Sequence, residues 1–314
     1  MKVRCIQRAW DRLRGKDIIA KNPVATHYGE RFVYSGAESE ALLGAVLQKD
    51  GPALVTRFGR TELKIVDWFM RRKNEPAVVF QKDRAAQIAA NAGFINPSDR
   101  DLTRYACEFI RIVRDIDILA VWFVVNEREL CLAYLPDRAQ LVSLESLTPG
   151  PVCQRPWTRH LAGRRVLVIH PFEDTIRRQY ANREKLFDNR EVLPEFELST
   201  LRAYQSLADN NPDGYASWFD ALDAMKRKID AVDFDVAVIG AGAYGMFLAH
   251  HCKAIGKKAL HLGGAAQLLF GIKGKRWDDP TSEYGPLFYN EHWIRPLEHE
   301  IPAGSEQIEN GCYW

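Results

Sequence analysis

The stretch DVAVIGAGAYGMFLAHHCKAIGKKALHLGG, Asp235 to Gly264, decides how this chain is read. The apolar run Val236 to Ile239 enters a G-x-G-x-x-G at Gly240, Gly242 and Gly245. A helical pattern then reaches Gly256, and a second apolar run, Ala259 to Leu262, closes on Gly263-Gly264. Strand, glycine turn, helix and strand make a βαβ unit of parallel sheet. In such a turn the first glycine allows the tight bend, the second lets backbone approach a phosphate, and the third lets helix and strand pack closely. The new helix offers its free N–H groups to an anion. A dinucleotide site also needs an acidic residue about 20 positions on, to hold the ribose hydroxyls. The next strand ends instead at His261 and Leu262, with no Asp or Glu before the glycines. The pattern therefore points away from redox chemistry and leaves two readings: a phosphate site at Gly240, Gly242, Tyr244 and Gly245, or glycines needed only for close packing.

The same alternation extends outward. PALVTRFG gives a short strand, Ala53 to Thr56, and TELKIVDWFMRRK an amphipathic helix with Leu63, Val66, Trp68, Phe69 and Met70 as its apolar positions. EALLGAVLQKDG is helical from Glu40 and ends at Gly51. Two more helical patterns fill Arg84 to Val113, interrupted at Asn96-Pro97. IDILAVWFVV, Ile116 to Val125, suits a strand buried on both faces. RRVLVIHPF contains another strand, Val166 to Ile169, before the helical DTIRRQYANREKLF. LRAYQSLAD reads as a short helix or loop, and SWFDALDAMKRKIDAV as an amphipathic helix. The expected fold class is α/β, Rossmann-like and doubly wound: a mainly parallel sheet with helices on both faces. A peripheral arm (1–38), an N-terminal α/β half (39–150) and a C-terminal Rossmann-like half with its tail (151–314) are expected, with TPGPVCQRP as a soft boundary inside one compact unit.

Composition narrows the class. Forty-three Lys and Arg against 41 Asp and Glu give a net charge of +2, so no global field favours nucleic acid or an anionic membrane. The basic start MKVRCIQRAWDRLRGKD lacks the roughly 7–15 apolar residues of a signal peptide. No run of about 18 apolar residues exists to span a membrane. The six cysteines are scattered without a C-x-x-C pair, as expected of reduced thiols in a cytoplasmic protein rather than a zinc site.

In a doubly wound sheet ligands bind beyond the carboxyl ends of the strands, so the loops there supply the candidates. After Thr56 come Arg57, Gly59, Arg60 and Glu62; the glutamate is either a first-turn residue suited to the helix dipole or a base or metal ligand. His170 and His261 end two strands and are candidate catalytic groups or core histidines. HLGGAAQLLFGIKGKRWDD adds Gly263, Gly264 and Gln267, then a cationic cluster, Lys273, Lys275 and Arg276, beside Trp277. Such a cluster can neutralise a diphosphate, and an aromatic can stack on a base or sugar. The aromatic tail Gly311 to Trp314 is a candidate to dock on the body, to complete the site or to form a dimer.

Together RFGRTEL, PWTRHLAGRRVLVIHPF, VLPEFEL, the block from Ile239 to Asp279 and NEHWIRPLE…ENGCYW resemble bacterial proteins related to the GT-D-fold glycosyltransferases of surface-polysaccharide and glycan assembly. The resemblance runs from about residue 50 to the end. It implies transfer of a sugar from a nucleotide-diphosphate donor, usually a UDP-sugar, to a glycan or lipid-linked acceptor. It also implies a divalent metal, Mn²⁺ or Mg²⁺, held by an Asp-x-Glu motif in a stretch similar to R-F-G-D-x-E. Here Arg57, Phe58, Gly59 and Glu62 match, and Arg60 stands where the motif has Asp. Either Arg60 weakens or replaces the metal, with Glu62 the remaining ligand, or this branch performs different chemistry. The place implied is cytoplasmic, with room for a peripheral position at the inner membrane face. Two other readings remain open: an NAD(P)-binding oxidoreductase, and a non-catalytic glycan- or nucleotide-binding protein of a polysaccharide-synthesis complex.

Overall fold

The computed structural model describes residues 27–74, 94, 97–148, 153–205, 211–278, 289–307 and 311–314. Most of the expected arm, the helical pattern beginning at Arg84, part of the boundary at 148–156 and the end of LRAYQSLAD lie outside the described residues.

In chain order the elements are β1 (His27–Tyr28), β2 (Arg31–Tyr34), α1 (Gly36–Gln48), β3 (Ala53–Arg57), α2 (Arg60–Asn74), α3 (Asp99–Val113), β4 (Ile118–Val121), α4 (Glu127–Tyr134) and β5 (Gln140–Ser143). There follow β6 (Arg165–His170), α5 (Glu173–Ala181), β7 (Glu197–Arg202), α6 (Trp218–Asp230), β8 (Val236–Ile239), α7 (Gly245–Ala254), β9 (Lys258–His261), α8 (Ala265–Leu269) and α9 (Lys275–Asp278). Local sequence explains several boundaries. Ser98 and Asp101 form a reciprocal capping box at the start of α3, and the Ser217 hydroxyl accepts from Asp220 N–H to start α6.

One nine-stranded sheet results, in the order β1-β2-β5-β4-β3-β9-β8-β6-β7, parallel throughout except for the β1–β2 hairpin. It is the α/β, mainly parallel sheet expected. The central strands β4, β8 and β3 through Thr56 are buried at every position, because helices cover both faces. One face packs Leu63 and Val66 of α2, Phe109 of α3, Trp218 of α6 and Phe247 of α7. The other packs Leu43 and Leu47 of α1, Ile176 of α5, Leu268 of α8, and Trp157 and Trp293. An aromatic stack runs through the first face: Phe94 on Trp218 (5.0 Å, 9°) and Trp218 on Tyr244 (4.5 Å, 6°). It anchors the glycine turn to the core, with each such pair worth about 0.5–1.5 kcal/mol beyond area burial.

Differences from the sequence reading fall at the margins. Residues 31–34, expected in an arm, are a strand paired in parallel with β5. LRAYQSLAD begins inside β7 rather than as a helix or loop, pairing residue by residue with β6. The apolar run Ile116 to Val125 stops being strand at Val121. Along β6, β8 and β9 the register sets Ile169 beside Ile239 and Ile239 beside His261, so the carboxyl ends of these strands align.

Candidate functional site

Those aligned ends open into a cleft of about 560 Å³. From the sequence-derived set, Arg57, Gly59, Arg60, Glu62, His170, Gly240, Gly242, Tyr244, His261, Gly263, Gly264, Gln267 and Arg276 all line it, while Gly245, Lys273 and Lys275 do not. Lys273 Nζ lies 5.4 Å over the Tyr289 ring, and Lys275 is exposed. Gln267 lines the wall but serves the scaffold, its amide donating to the carbonyls of Lys273 (2.9 Å) and Tyr313 (2.8 Å). The cationic loop thus reaches the cleft through Arg276, because Lys273, ahead of α9, lies over Tyr289 and Lys275, at its first position, faces outward.

Guanidinium groups dominate one wall. Arg57 and Arg60 both lie over the indole of Trp122, at 4.7 and 4.8 Å from the ring centroid. Trp122 Nε1–H donates to Phe58 O at 3.1 Å, which fixes the indole to the β3–α2 turn. Stacking on an indole holds a guanidinium plane in one orientation without consuming its N–H groups. Burial holds Arg57 below its ordinary pKa, and the Glu62 charge opposes that shift. Arg276, on the far side, stacks at 4.2 Å over Tyr313 and donates to Cys312 Sγ at 2.9 Å. Gly263 and Gly264 lie between the cations: a β-carbon on Gly263 would meet Arg57 Cδ at 3.5 Å, and one on Gly264 would meet Arg276 Nη1 at 3.4 Å. Glu62, in the first turn of α2, folds its carboxylate back over Gly59, where a β-carbon would lie 1.8 Å from Oε2.

The tail Cys312-Tyr313-Trp314 closes this wall. Lys275 N–H and Arg276 N–H donate to the carbonyls of Trp314 (3.2 Å) and Cys312 (3.0 Å), and Arg295 donates to Trp314 O at 3.1 Å. Of the sites left open for the tail, it occupies the body, with Tyr313 and Trp314 lining the cleft. Trp122 is the lining aromatic on which the arginines rest and which sequence reasoning did not place in the site. The signal for Trp122 was an aromatic at the carboxyl end of a central parallel strand.

The glycine turn combines two different devices. A β-carbon on Gly240 would lie 2.6 Å from His170 Cδ2 and 2.9 Å from Gly263 O; one on Gly245 would lie 2.3 Å from His261 Nε2. Gly242 has φ +49° with open space beyond its α-carbon. Close packing therefore requires the first and third glycines, and backbone conformation the second. Gly240→Ala and Gly245→Ala are each expected to destabilise by about 1–3 kcal/mol through overpacking, and Gly242→Ala by only about 1–2 kcal/mol through its left-handed backbone. Urea denaturation checks the order; a Gly242 variant less stable than both others would contradict it.

Both histidines are held neutral. His170 is 5% exposed and His261 4%, and burial pushes each ring down to about 3. Phe172 N–H donates to His170 Nδ1 at 3.0 Å, so that ring carries its proton on Nε2 and has no spare lone pair. His170 can donate a hydrogen bond into the cleft but cannot act as a base. Thr56 Oγ1 donates to Arg57 O at 3.3 Å, so it accepts from His261 Nδ1 at 3.0 Å. His261 Nε2 then keeps the lone pair, but it is buried without a partner against Gly245. Since each folded pKa is depressed, the unfolded chain binds more protons below the ordinary value of 6.5, and stability present above that pH is lost as pH falls towards 3. Together the two rings are expected to cost roughly 2–3 kcal/mol between pH 7.0 and 5.5. Denaturation midpoints that stay flat over that interval would show that the rings are not held neutral.

Metal-type side chains gather elsewhere. Asp174, His299 and Glu300 place potential ligand atoms within 4.8 Å of one another, off the cleft. Glu300 there already accepts from Asp174 N–H (2.7 Å), Thr175 N–H (3.1 Å) and the Thr175 hydroxyl, as an anionic anchor for the start of α5. Among the described residues no helix is long and apolar enough to cross a membrane.

No family model and no curated protein matches the chain. Among solved structures it is similar to a selenomethionine-substituted structure of domain of unknown function 1792, with TM-score 0.48 and 13% identity over 90% of this chain and 95% of the other. A second is described as showing that this highly conserved domain has a distinct glycosyltransferase fold (TM-score 0.46, 13% identity, 90% and 95% coverage). A third is described as a new glycosyltransferase of the same domain family from Streptococcus sanguinis (TM-score 0.43, 11% identity, 75% and 82%).

Proposed function

We propose that the chain is a glycosyltransferase that takes a sugar from a nucleotide-diphosphate donor, with UDP-sugars the first to test, and passes it to a glycan or lipid-linked acceptor in bacterial polysaccharide assembly at the cytoplasmic side. One observation carries this reading: three arginines, two of them stacked on Trp122 and one on Tyr313, line a single strand-end cleft that also holds Glu62. Such a wall is built for a multiply charged anion next to flat rings.

In the reaction the bond between the sugar's anomeric carbon and the β-phosphate oxygen breaks, and a bond from the acceptor oxygen to that carbon forms. Negative charge grows on the leaving diphosphate, where Arg57, Arg60 and Arg276 neutralise it. The acceptor proton passes to Glu62, since His170 has no free lone pair and His261 Nε2 is sealed behind Gly245. His170 Nε2–H is left to donate to a phosphate or sugar oxygen.

A Mn²⁺ or Mg²⁺ ion does not fit this set of residues. Among the described residues that line the cleft Glu62 bears the only side-chain carboxylate, and Arg57 lies within reach of its charge. Hard divalent cations take about six oxygen ligands, so no step is routed through a metal.

The test is a thermal scan with UDP, GDP, CMP and their sugars, each with and without Mn²⁺, followed by donor hydrolysis assays. A rise in Tm with at least one nucleoside diphosphate, independent of Mn²⁺, is expected. No rise with any of them would overturn the reading.

A further inference from the structure

The turn from Trp122 to Glu127 holds the only two non-glycine residues with positive φ among the described residues, Phe123 (57°) and Asn126 (71°). Left-handed backbone is costly for a bulky aromatic such as Phe123 and persists only where its surroundings impose it. The imposing group is Glu127, fully buried in the first turn of α4. Its Oε2 accepts from Phe123 N–H (2.8 Å), Trp122 N–H (3.1 Å) and the Tyr28 hydroxyl (2.6 Å). Tyr28 in turn packs edge-on against Phe123 at 5.4 Å.

Glu127 is expensive for the fold. Burial pushes its carboxyl up against the pull of these hydrogen bonds and of the nearby Val124 N–H, and no donor meets its buried Oε1 in good hydrogen-bond geometry. A scaffold seeking stability alone would place an apolar side chain at this point. What the carboxylate gives is geometry: by capturing the N–H groups of Trp122 and Phe123 it ends β4 at Val121 and turns the indole under Arg57 and Arg60.

We infer that Glu127 is a positioning residue whose buried carboxylate, clamped by Tyr28 of the edge hairpin, sets the Arg57–Trp122–Arg60 stack for binding a diphosphate. Only the identity of the bound group rests on the nucleotide-sugar reading; the positioning rests on the turn itself. Glu127 touches no substrate and acts through Trp122.

The experiment compares Glu127→Gln, Glu127→Leu and Tyr28→Phe with the parent chain by two readouts. The first is the indole ¹⁵N–¹H resonance of Trp122, assigned by its loss in Trp122→Phe. The indoles of Trp157 and Trp293, which donate to Ser146 O and Leu186 O on the opposite face, serve as internal references. The second is affinity for inorganic diphosphate by calorimetry. Glu127→Leu is expected to shift or broaden the Trp122 resonance, leave the references in place and weaken diphosphate binding at least ~10-fold. Glu127→Gln, which keeps one acceptor oxygen, should recover part of both, and Tyr28→Phe should give a smaller change of the same sign. If the leucine variant does not fold, the other two carry the comparison. A Trp122 resonance unmoved in the folded variants, or one that moves with no change in affinity, overturns the inference. If it moves while the parent chain binds no diphosphate at all, the positioning stands and the nucleotide-sugar reading falls.

Discussion

With Arg57 replaced by alanine, UDP binding is expected to weaken about 100-fold while the chain still folds. Arg57 is where strand register, stacking and charge meet. It is the last residue of β3, pressed against Gly263 and lying over Trp122. Burial has already removed part of its hydration, which is why its pKa is held down. An anion entering the cleft therefore meets a cation that costs little further to desolvate, and their attraction is screened less than at an open surface. Arg60 is more exposed, and its loss should cost less. Arg57→Lys should fall between wild type and alanine, because lysine keeps the charge but neither stacks flat on an indole nor presents paired N–H groups. Calorimetric titration of UDP into the three proteins checks the order; an Arg57→Ala affinity within twofold of wild type would remove this residue from the site.

Glu62→Gln is expected to act on the other half of the process. Sugar transfer should fall by about 10²–10⁴-fold in kcat, the scale of a lost general base, with UDP affinity essentially kept. The carboxylate folds over Gly59 at the start of α2, so a helix-capping role is its competing explanation. The two separate cleanly: a capping residue replaced by glutamine lowers Tm and leaves kcat near wild type, whereas a base does the reverse. Turnover and binding both kept in Glu62→Gln would remove Glu62 from the role of base, whereas UDP binding by the parent chain with no transfer to any acceptor would favour a binding protein over an enzyme.

The buried strands were legible from composition because they are covered on both faces. Val236–Ile239, Ala259–Leu260 and Val166–Ile169 are continuous apolar runs, and a parallel central strand can hardly be anything else. The edges were not legible for the same reason. In β7 the residues are E-L-S-T-L-R, with Leu201 buried and its neighbours partly open, and β2 reads R-F-V-Y with Val33 alone buried; neither pattern stands out from a loop. Gly240 lines the cleft and Gly245 does not, and sequence could not show that the side chains facing them are His170 and His261, which arrive from strands 70 and 16 residues away. Lys273 and Lys275 illustrate the converse error. A charge cluster in sequence is not one in space, and of these three cations Arg276 alone lines the site. Trp122 was read as part of a strand because its run of apolar neighbours is unbroken; the capture of its N–H by Glu127 is a contact that no local pattern announces.

The most direct measurement is a calorimetric titration of UDP into the chain in the presence of excess chelator. Saturable binding is expected, unchanged by adding Mn²⁺ and lost in Arg57→Ala, because guanidinium groups hold the diphosphate. Binding that appears only once Mn²⁺ is supplied, or no binding of UDP, GDP or CDP under either condition, would contradict an arginine-lined nucleotide-sugar site.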